Sequence, residues 1–460
     1  MTETIANVPY DDLRLGMEAE MTRARRADDL YVYANSSGNL NPMHLPKEDG
    51  DGDGRPEAVA PGMWVASLIS AVLGTRLPGP GTLYRAQTLD FIGQAHAGDV
   101  LTARVRVLSK DPGRVVRLAT EVFGADGAPM LRGEAEVIAP ERALSFRADD
   151  IPGLTVQSHQ HFDRLLELAE PLPPIPTVVV APEEPDSLAG ALLAARHTLI
   201  LPILVGHAGR IAKAAQEAGE SLEGIQIVDV PDHKAAARAV QMVNEGLAGA
   251  LMKGHLHTDV FLGAIVQRET GLRTARRLSH VFVMDVPGLD HLLMVSDAAI
   301  NIAPDLMAKA DITQNAIYLA HSLGVAEPRV GILSAVEKVN PAIPSTLDAA
   351  ILSKMADRGQ IKGGLVDGPL AMDNAVDLGA AMTKGIKSLV AGRAEILIAP
   401  NMEAGNMLAK ELTYLAHARS AGIVMGAKCP VILTSRADDE QSRLASCAVA
   451  ALHAAHGGPA

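Results

Sequence analysis

Thr177-Val178-Val179-Val180-Ala181 decides how the larger part of this 460-residue chain is read. A short, essentially apolar run with no polar alternation has no face for water, so it predicts a strand buried on both sides. A helical pattern follows at Ser187–Arg196. The rhythm then repeats with Ile200–Val205, a helix from about His207, Ile225–Val230 and a helix from about His233. Similar runs recur at Ala298–Ile302, Val330–Leu333, Ile396–Ala399 and Val431–Leu433. Doubly buried strands that alternate with helices predict a parallel sheet covered on both faces, an α/β fold. About ten such strands are many for one open sheet, which predicts two α/β subdomains with a cleft between them.

Upstream the period changes. Leu83–Phe91, Leu101–Leu108, Arg114–Phe123 and Met130–Ile138 alternate apolar and polar residues, with turn signals at Lys110–Gly113 and Asp126–Gly127. One helical region precedes them. That pattern predicts an antiparallel sheet packed on a helix, an α+β domain. The change of rhythm falls near residues 145–158, ahead of the proline-rich Pro171–Pro176, so the chain divides into a domain over 1–150 and a second over 158–460.

Bulk properties narrow the partners. The net charge of −13 opposes nucleic acid and anionic membrane surfaces, so an anionic substrate needs a locally basic pocket. Cys429 and Cys447 supply neither a disulfide framework nor a zinc set, which suits a reducing compartment. The first residues have neither a basic start nor an apolar stretch, and the longest apolar run, Trp64–Leu73, is too short to span a bilayer. A cytoplasmic protein is expected.

Three clusters in the α/β part carry chemistry. Lys253-Gly-His-Leu-His257, with Thr258 and Asp259, follows the buried run Gly249–Met252, and in open parallel sheets ligands gather at the carboxyl ends of strands. A polar loop with satisfied histidines is the plainer alternative. His255 and His257 lack a third ligand, so no metal is expected there. Arg276-Arg277-Leu-Ser-His280 sets two arginines before the run Val281–Asp285, suited to phosphate or simply to solvent. Finally, the run Val431–Leu433 ends in Thr434, Ser435 and Arg436. A guanidinium fork matches phosphate, and a serine hydroxyl can donate to a carbonyl oxygen that becomes negative. Asp438, Asp439 and Glu440 follow as possible bases. No Walker loop, no strand-borne Gly-x-Gly-x-x-Gly and no Gly-x-Ser-x-Gly elbow is present, which disfavours ATPase, dehydrogenase and α/β-hydrolase readings.

From about Phe162 to Ala451 the chain resembles the phosphate acetyl/butyryl transferase family. The blocks that carry the resemblance are Thr177–Pro182, Lys253–His255, Ser279–Pro287, Asp297–Pro304, Lys338–Thr346, Asp367–Asp373, Pro400–Asn406 and Lys428–Arg436. The resemblance implies an isocitrate/isopropylmalate dehydrogenase-like architecture, with one subdomain over about 158–290 and 425–460 and the other over about 291–424. It implies the reaction acyl-CoA plus phosphate giving acyl phosphate plus CoA. Coenzyme A is then a substrate, and no metal or other cofactor is required. By family pattern Ser435 stabilises the reacting carbonyl and Arg436 binds the phosphoryl group. Lys253, His255, Arg277, Glu403 and Asn406 are the substrate-binding candidates. The acetyl branch has an acidic residue where this chain has Ser442, and an arginine within the stretch matching Asp259–Leu262. Those departures look nearer the butyryl branch and leave Asp438 as the substitute base.

Ser37-Gly-Asn-Leu-Asn-Pro-Met-His44 resembles the signature of MaoC-like (R)-specific enoyl-CoA hydratases, Ser-Gly-Asp-x-Asn-Pro-x-His. The likeness continues through Gly62-Met-Trp64 and Leu77–Gly81 and implies a hot-dog fold. His44 matches the motif histidine, whereas Asn39 replaces the aspartate and Pro61 replaces a common histidine. An amide cannot accept a proton as a base, so hydration is expected to be lost or weak. Asp49–Gly54 has the first half of a calcium-loop spacing, but the twelfth position is Ala60 rather than glutamate. Three readings stand at this point: an acyltransferase with an attached hot-dog domain that serves as an acyl-CoA-binding or dimerising module, a bifunctional hydratase and transferase, and a non-catalytic acyl-CoA-binding protein. Both domain resemblances imply a homo-oligomer.

Overall fold

The computed structural model describes residues 4–24, 26–45, 59–96, 98–147, 154, 156, 159–434 and 438–456. Packing divides the chain into two compact units, residues 1–156 and 157–460.

The first unit contains β1 (Thr4–Ala6), β2 (Glu18–Ala24), α1 (Ala27–Ser37), α2 (Gly62–Thr75), β3 (Leu83–Gln87), β4 (Asp90–Phe91), β5 (Val100–Asp111), β6 (Val115–Phe123), β7 (Pro129–Ile138) and β8 (Ser145–Arg147). An antiparallel sheet runs β2-β5-β6-β7-β3, and β4 also pairs with β7. The alternation read in the sequence is the alternation of faces. Leu101, Ala103, Val105 and Val107 of β5 point inward while Arg104 and Arg106 point out. Seven residues of α2, Trp64 to Leu73, are buried in the same core. A sheet wrapped on one apolar helix is the hot-dog arrangement. The run Leu83–Phe91 is interrupted after Gln87, where the Thr88 carbonyl crosses so close to β7 that a Cβ at Gly133 would collide with it. β2 was not evident from the sequence, because its residues beyond Met21 face solvent and lack a hydrophobic alternation.

The second unit contains α3 (Gln160–Ala169), β9 (Ile175–Val180), α4 (Pro185–Arg196), β10 (Ile200–Gly206), α5 (Ala208–Ala218), β11 (Gln226–Asp229), α6 (Asp232–Asn244), β12 (Ala250–Lys253), α7 (Thr258–Ile265), β13 (Ser279–Asp285) and β14 (Leu293–Ser296). It continues with α8 (Leu306–Ser322), β15 (Arg329–Leu333), α9 (Pro344–Asp357), β16 (Leu365–Leu370), α10 (Met372–Val376), α11 (Leu378–Thr383), β17 (Ile396–Ile398), α12 (Met402–Tyr414), β18 (Arg419–Met425), β19 (Val431–Ile432) and α13 (Glu440–Ala455). The strand pairings differ from the two-sheet expectation. Eleven strands form one continuous sheet, β11-β10-β9-β12-β19-β18-β13-β14-β17-β15-β16. β11, β10, β9, β12 and β19 are mutually parallel, as are β14, β17, β15 and β16. Between these blocks β18 and β13 pair antiparallel along seven residues. β18 is antiparallel to β19, and β13 to β14, so the two parallel blocks run in opposite directions. That reversal, rather than a break, divides the sheet.

Ala298–Ile302, expected as a strand, is a turn. The Asp297 carboxylate, 2% exposed, accepts the N–H groups of Ala299, Ile300 and Asn301 at 2.9–3.1 Å. Three donors converging on one carboxylate satisfy a buried charge and curl the apolar run away from a ladder. Among the described residues no helix is long and apolar enough to cross a membrane, and no group of three or more His, Cys, Asp or Glu is placed to hold a metal ion. Asp49–Gly54 lies outside the described residues.

Candidate active site

A cleft of about 750 Å³ lies over the reversal in the sheet of the second unit. β19 and β14, which run in opposite directions, both deliver their carboxyl ends to it: Leu433 and Thr434 follow the first, Ala298 and Ala299 the second. Thr258 opens α7 at its edge, and His280 and Phe282 of β13 form part of its floor.

The wall opposite is α12. Its helical spacing sets Glu403, Asn406, Lys410 and Thr413 along one face, and all four line the cleft. Three positions of the block Pro400–Asn406 each have a separate local reason. Asn401 caps the helix by accepting the Ala404 N–H at 2.9 Å. A Cβ at Gly405 would sit 2.5 Å from the Asp297 carbonyl oxygen, so only glycine lets helix and turn meet. Asn406 ties the same two elements by donating Nδ2–H to the Ala298 carbonyl at 3.1 Å.

Asp438 also lines the cleft, so both described neighbours of the Ser435–Ala437 stretch, Thr434 and Asp438, do so. Ser435 and Arg436 themselves lie outside the described residues. The three acids after the strand now differ in role. The Asp439 carboxylate is the N-cap of α13, accepting the Ser442 N–H at 2.8 Å, and Glu440 belongs to the first turn of that helix. Asp438 is the acid of the three that lines the cleft. Ser442, where an acid was expected from the acetyl branch, is buried in the first turn of α13. Thr434 is held from behind, its Oγ1 accepting from Nη1 of buried Arg443 at 2.9 Å.

His280 closes the Arg276–His280 cluster and was given no role in the sequence, where the strand was expected to begin at Val281; β13 begins at Ser279 and takes the histidine in. It is fully buried, packs edge-on against Phe282 with centroids 4.4 Å apart, and donates Nε2–H to the Leu433 carbonyl at 3.3 Å. Burial lowers its pKa, against the opposing charge of Asp297, so the ring is neutral and Nδ1 is an acceptor. Nδ1 is buried with no hydrogen-bond partner among the described residues. A Cβ at Gly422 would lie 3.0 Å from Nε2 of this ring, so glycine there makes room for it.

The other candidates stand outside this lining. Lys253 ends β12, is 4% exposed, and its Nζ lies 3.4 Å from the Gly254 carbonyl. His255 places Nδ1 2.8 Å from the Glu184 carboxylate. The loop carrying both crosses β9 so tightly that a Cβ at Gly254 would sit 2.5 Å from the Val180 and Ala181 carbonyl oxygens. Arg277 lines a separate cavity of about 490 Å³ together with Arg273, Arg276, Asn301 and Asp311.

In the first unit the motif residues occupy short turns. Ser37 Oγ accepts the Asn39 N–H at 3.2 Å, and Asn39 Oδ1 accepts the Asn41 N–H at 3.3 Å. His44 directs Nδ1 at the Val59 carbonyl, 2.7 Å away. A carbonyl only accepts, so Nδ1 is the donor in this contact.

These features define a class: a hot-dog domain joined to an α/β enzyme unit whose cleft combines an oriented helix face, a strand-end acid and a buried neutral imidazole. Comparison with known proteins makes it specific. Residues 232–451 match the model described as phosphate acetyl/butaryl transferase, and residues 12–123 match that of the MaoC like domain. A phosphate acetyltransferase of Rhizobium meliloti is 57% identical over 295 residues, 64% of this chain and 93% of the relative. A phosphate butyryltransferase of Clostridium beijerinckii is 42% identical over 297 residues, 64% of this chain and 98% of the relative. A solved branched-chain phosphotransacylase from Enterococcus faecalis superposes with a TM-score of 0.54 at 29% identity, covering 61% of this chain and 99% of its own. The chain belongs to the phosphate acetyl/butyryl transferase family and carries a MaoC-like domain at its N-terminal end. The relative named for acetyl transfer matches at higher identity than the one named for butyryl transfer.

Proposed function

We propose that the second unit transfers a short acyl group between coenzyme A and inorganic phosphate. The observation that carries this reading is the cleft in which Glu403, Asn406, Thr434 and Asp438 converge, in a chain of this family. In the acyl-phosphate-forming direction a phosphate oxygen attacks the thioester carbonyl carbon. A C–O bond forms, the tetrahedral oxyanion collapses, the C–S bond breaks and the thiolate leaves to be protonated. Ser435 donates a hydrogen bond to the oxyanion and Arg436 holds the phosphoryl group. In the reverse direction Asp438 takes the thiol proton. An unperturbed thiol, with a pKa of about 8.5, is mostly protonated at neutral pH, so a positioned base contributes about 10²–10⁴-fold. Thr434 and Asp438, on either side of the pair in the chain, support placing Ser435 and Arg436 at this cleft.

The same reading takes the second unit as isocitrate/isopropylmalate dehydrogenase-like, with lobes over about 158–290 plus 425–460 and about 291–424. The opposed parallel blocks of the sheet support it. We read the first unit as an acyl-CoA-binding module with little hydratase activity, because the Asn39 amide offers no base. The chain is read as a homo-oligomer.

Release of CoA from acetyl-, propionyl-, butyryl- and isobutyryl-CoA, measured with and without phosphate, tests the assignment. Phosphate-dependent release from at least one is expected, and no such release from any of them rejects it. Hydration of crotonyl-CoA at the rate of an intact hydratase would replace the binding-module reading with a bifunctional one.

A further inference from the structure

The cleft wall that ends in Thr434 is backed by a cation that does not itself line the cleft. Arg443, near the start of α13, is 4% exposed and donates Nη1–H to Thr434 Oγ1 at 2.9 Å. Its stem crosses α4 where that helix carries no side chain. A Cβ at Gly190 would collide with the Arg443 Cδ and sit 3.0 Å from its Cβ. Both ends of the bond stand on fixed backbone. On the arginine side, Ser446 Oγ accepts the Gly422 N–H at 3.0 Å and donates to the Ser442 carbonyl at 2.7 Å, which ties α13 to β18. On the threonine side, the Leu433 N–H donates to the Gly422 carbonyl at 3.1 Å, and the Leu433 carbonyl accepts from His280. Gly422 thus receives the helix through its N–H and the strand end through its carbonyl.

A guanidinium only donates, so Thr434 Oγ1 is the acceptor in this bond and keeps its own proton to give. Among the described residues no acceptor takes that proton, and Thr434 lines the cleft. The other buried threonines described in the second unit behave differently. Thr177 donates to the Ile175 carbonyl at 2.9 Å, Thr313 to Lys309 at 2.7 Å and Thr346 to Ile343 at 2.8 Å. Each of those hydroxyls is spent on nearby backbone, as a purely structural threonine is. Thr434 instead takes a hydrogen from behind and has one left for the cleft. The charge behind it is costly to bury and acts at short range. With 2.9 Å to Oγ1 and about 2.7 Å onward for a hydroxyl bond, a cleft oxygen held by Thr434 lies within about 6 Å of the Arg443 Nη1.

We propose that Thr434 donates its hydroxyl to an oxygen of bound inorganic phosphate, and that Arg443 is the positioning residue that turns it there, resting on the phosphate acyltransferase reading for the identity of the anion. The carbonyl oxygen that becomes negative during transfer is the other source of the same chemistry. Phosphate is the better match because it is charged from the moment it binds, so the standing charge of Arg443 acts on it throughout.

Two measurements on the full chain test this: equilibrium titration with inorganic phosphate, and steady-state kinetics at varied phosphate. The variants are Thr434→Val, which keeps the shape and removes the hydroxyl, Thr434→Ser, which keeps the hydroxyl, Arg443→Met, and the double variant Thr434→Val with Arg443→Met. Thr434→Val and Arg443→Met are each expected to weaken phosphate about tenfold in both Kd and KM, the scale of one hydrogen bond to a charged group. Thr434→Ser is expected to recover most of that loss. Because Arg443 acts through Thr434, the double variant is expected to lose no more than Thr434→Val alone. Unchanged phosphate affinity in Thr434→Val would overturn the proposal, as would losses that multiply in the double variant. A fall in kcat alone would give the hydroxyl to the carbonyl oxygen and overturn the phosphate assignment. An equal loss of coenzyme A affinity in Thr434→Val would mark a packing role and overturn it too. Failure of the transferase reading is distinct, since it shows as no phosphate-dependent thiol release by the unaltered protein.

Discussion

In the first unit the residues matched to chemistry lie within eight consecutive positions, from Ser37 at the end of α1 to His44 on the turns after it. In the second unit the cleft residues come from sequence positions as far apart as Thr258 and Asp438 and meet only because β13, β14, α12 and β19 are neighbours in the fold. A contiguous motif can keep its shape after its chemistry has changed. Asn39 still accepts the Asn41 N–H, and His44 still orients its ring on Val59, so the turn tolerates the loss of a carboxylate. A dispersed site has no such independence, since Gly405, Asp297 and Asn406 serve both the packing and the cleft.

The contrast is broken or sharpened most strongly at Ser435 and Arg436. Ser435→Ala is expected to lower kcat by about 10²–10³-fold, the scale of losing one oxyanion donor. Arg436→Ala is expected to raise the KM for phosphate, with steady-state kinetics at varied phosphate as the check. Unchanged kinetics in both would remove them from the site. Next in size, Asn39→Asp in the first unit should raise crotonyl-CoA hydration by about 10²-fold if the local turn is otherwise intact. No gain would mean that more than the base is missing.

Gly405→Ala follows, because the added methyl meets the Asp297 carbonyl. It should destabilise the second unit by about 1–3 kcal/mol, read in thermal melting, and slow transfer along with it. An unperturbed melt would contradict the shared role of helix and turn. The smallest effect concerns pH. Burial, aided by the charge of His456, lowers His453 from 6.5 to about 4, and burial lowers His280 as well. The unfolded chain takes up protons at these histidines below about 6.5 while the folded chain resists, so stability is lost as pH falls from 6.5 toward 4. His453→Gln should flatten that slope in denaturation measured across the window.

Much of the fold was legible in the sequence for one reason: water contact is written residue by residue. Thr177–Ala181 has no wet face and became an interior strand, while the alternation from Leu101 to Leu108 has one wet face and became half-buried β5. The helix face bearing Glu403 and Asn406 was legible through spacing and resemblance together. What was not legible depends on partners distant in sequence. Ala298–Ile302 is apolar enough for a strand, yet the Asp297 carboxylate curls it into a turn. Nothing in β13 or β18 alone announces the antiparallel pairing that joins two opposed parallel blocks. Lys253 ends β12 and His255 follows it outside the cleft lining, on a loop whose tight crossing of β9 at Gly254 depends on carbonyls distant in sequence. His280 faces the cleft from a strand interior, and only the neighbouring Leu433 carbonyl fixes which ring nitrogen accepts.

The central claim is that the acyl group leaves coenzyme A for phosphate, and phosphorus NMR of the protein with acetyl-CoA and inorganic phosphate reads it directly. The account predicts an acyl phosphate resonance growing in step with free thiol, and a greatly slowed appearance of both in Ser435→Ala. Thiol released without acyl phosphate, as simple hydrolysis would give, contradicts it.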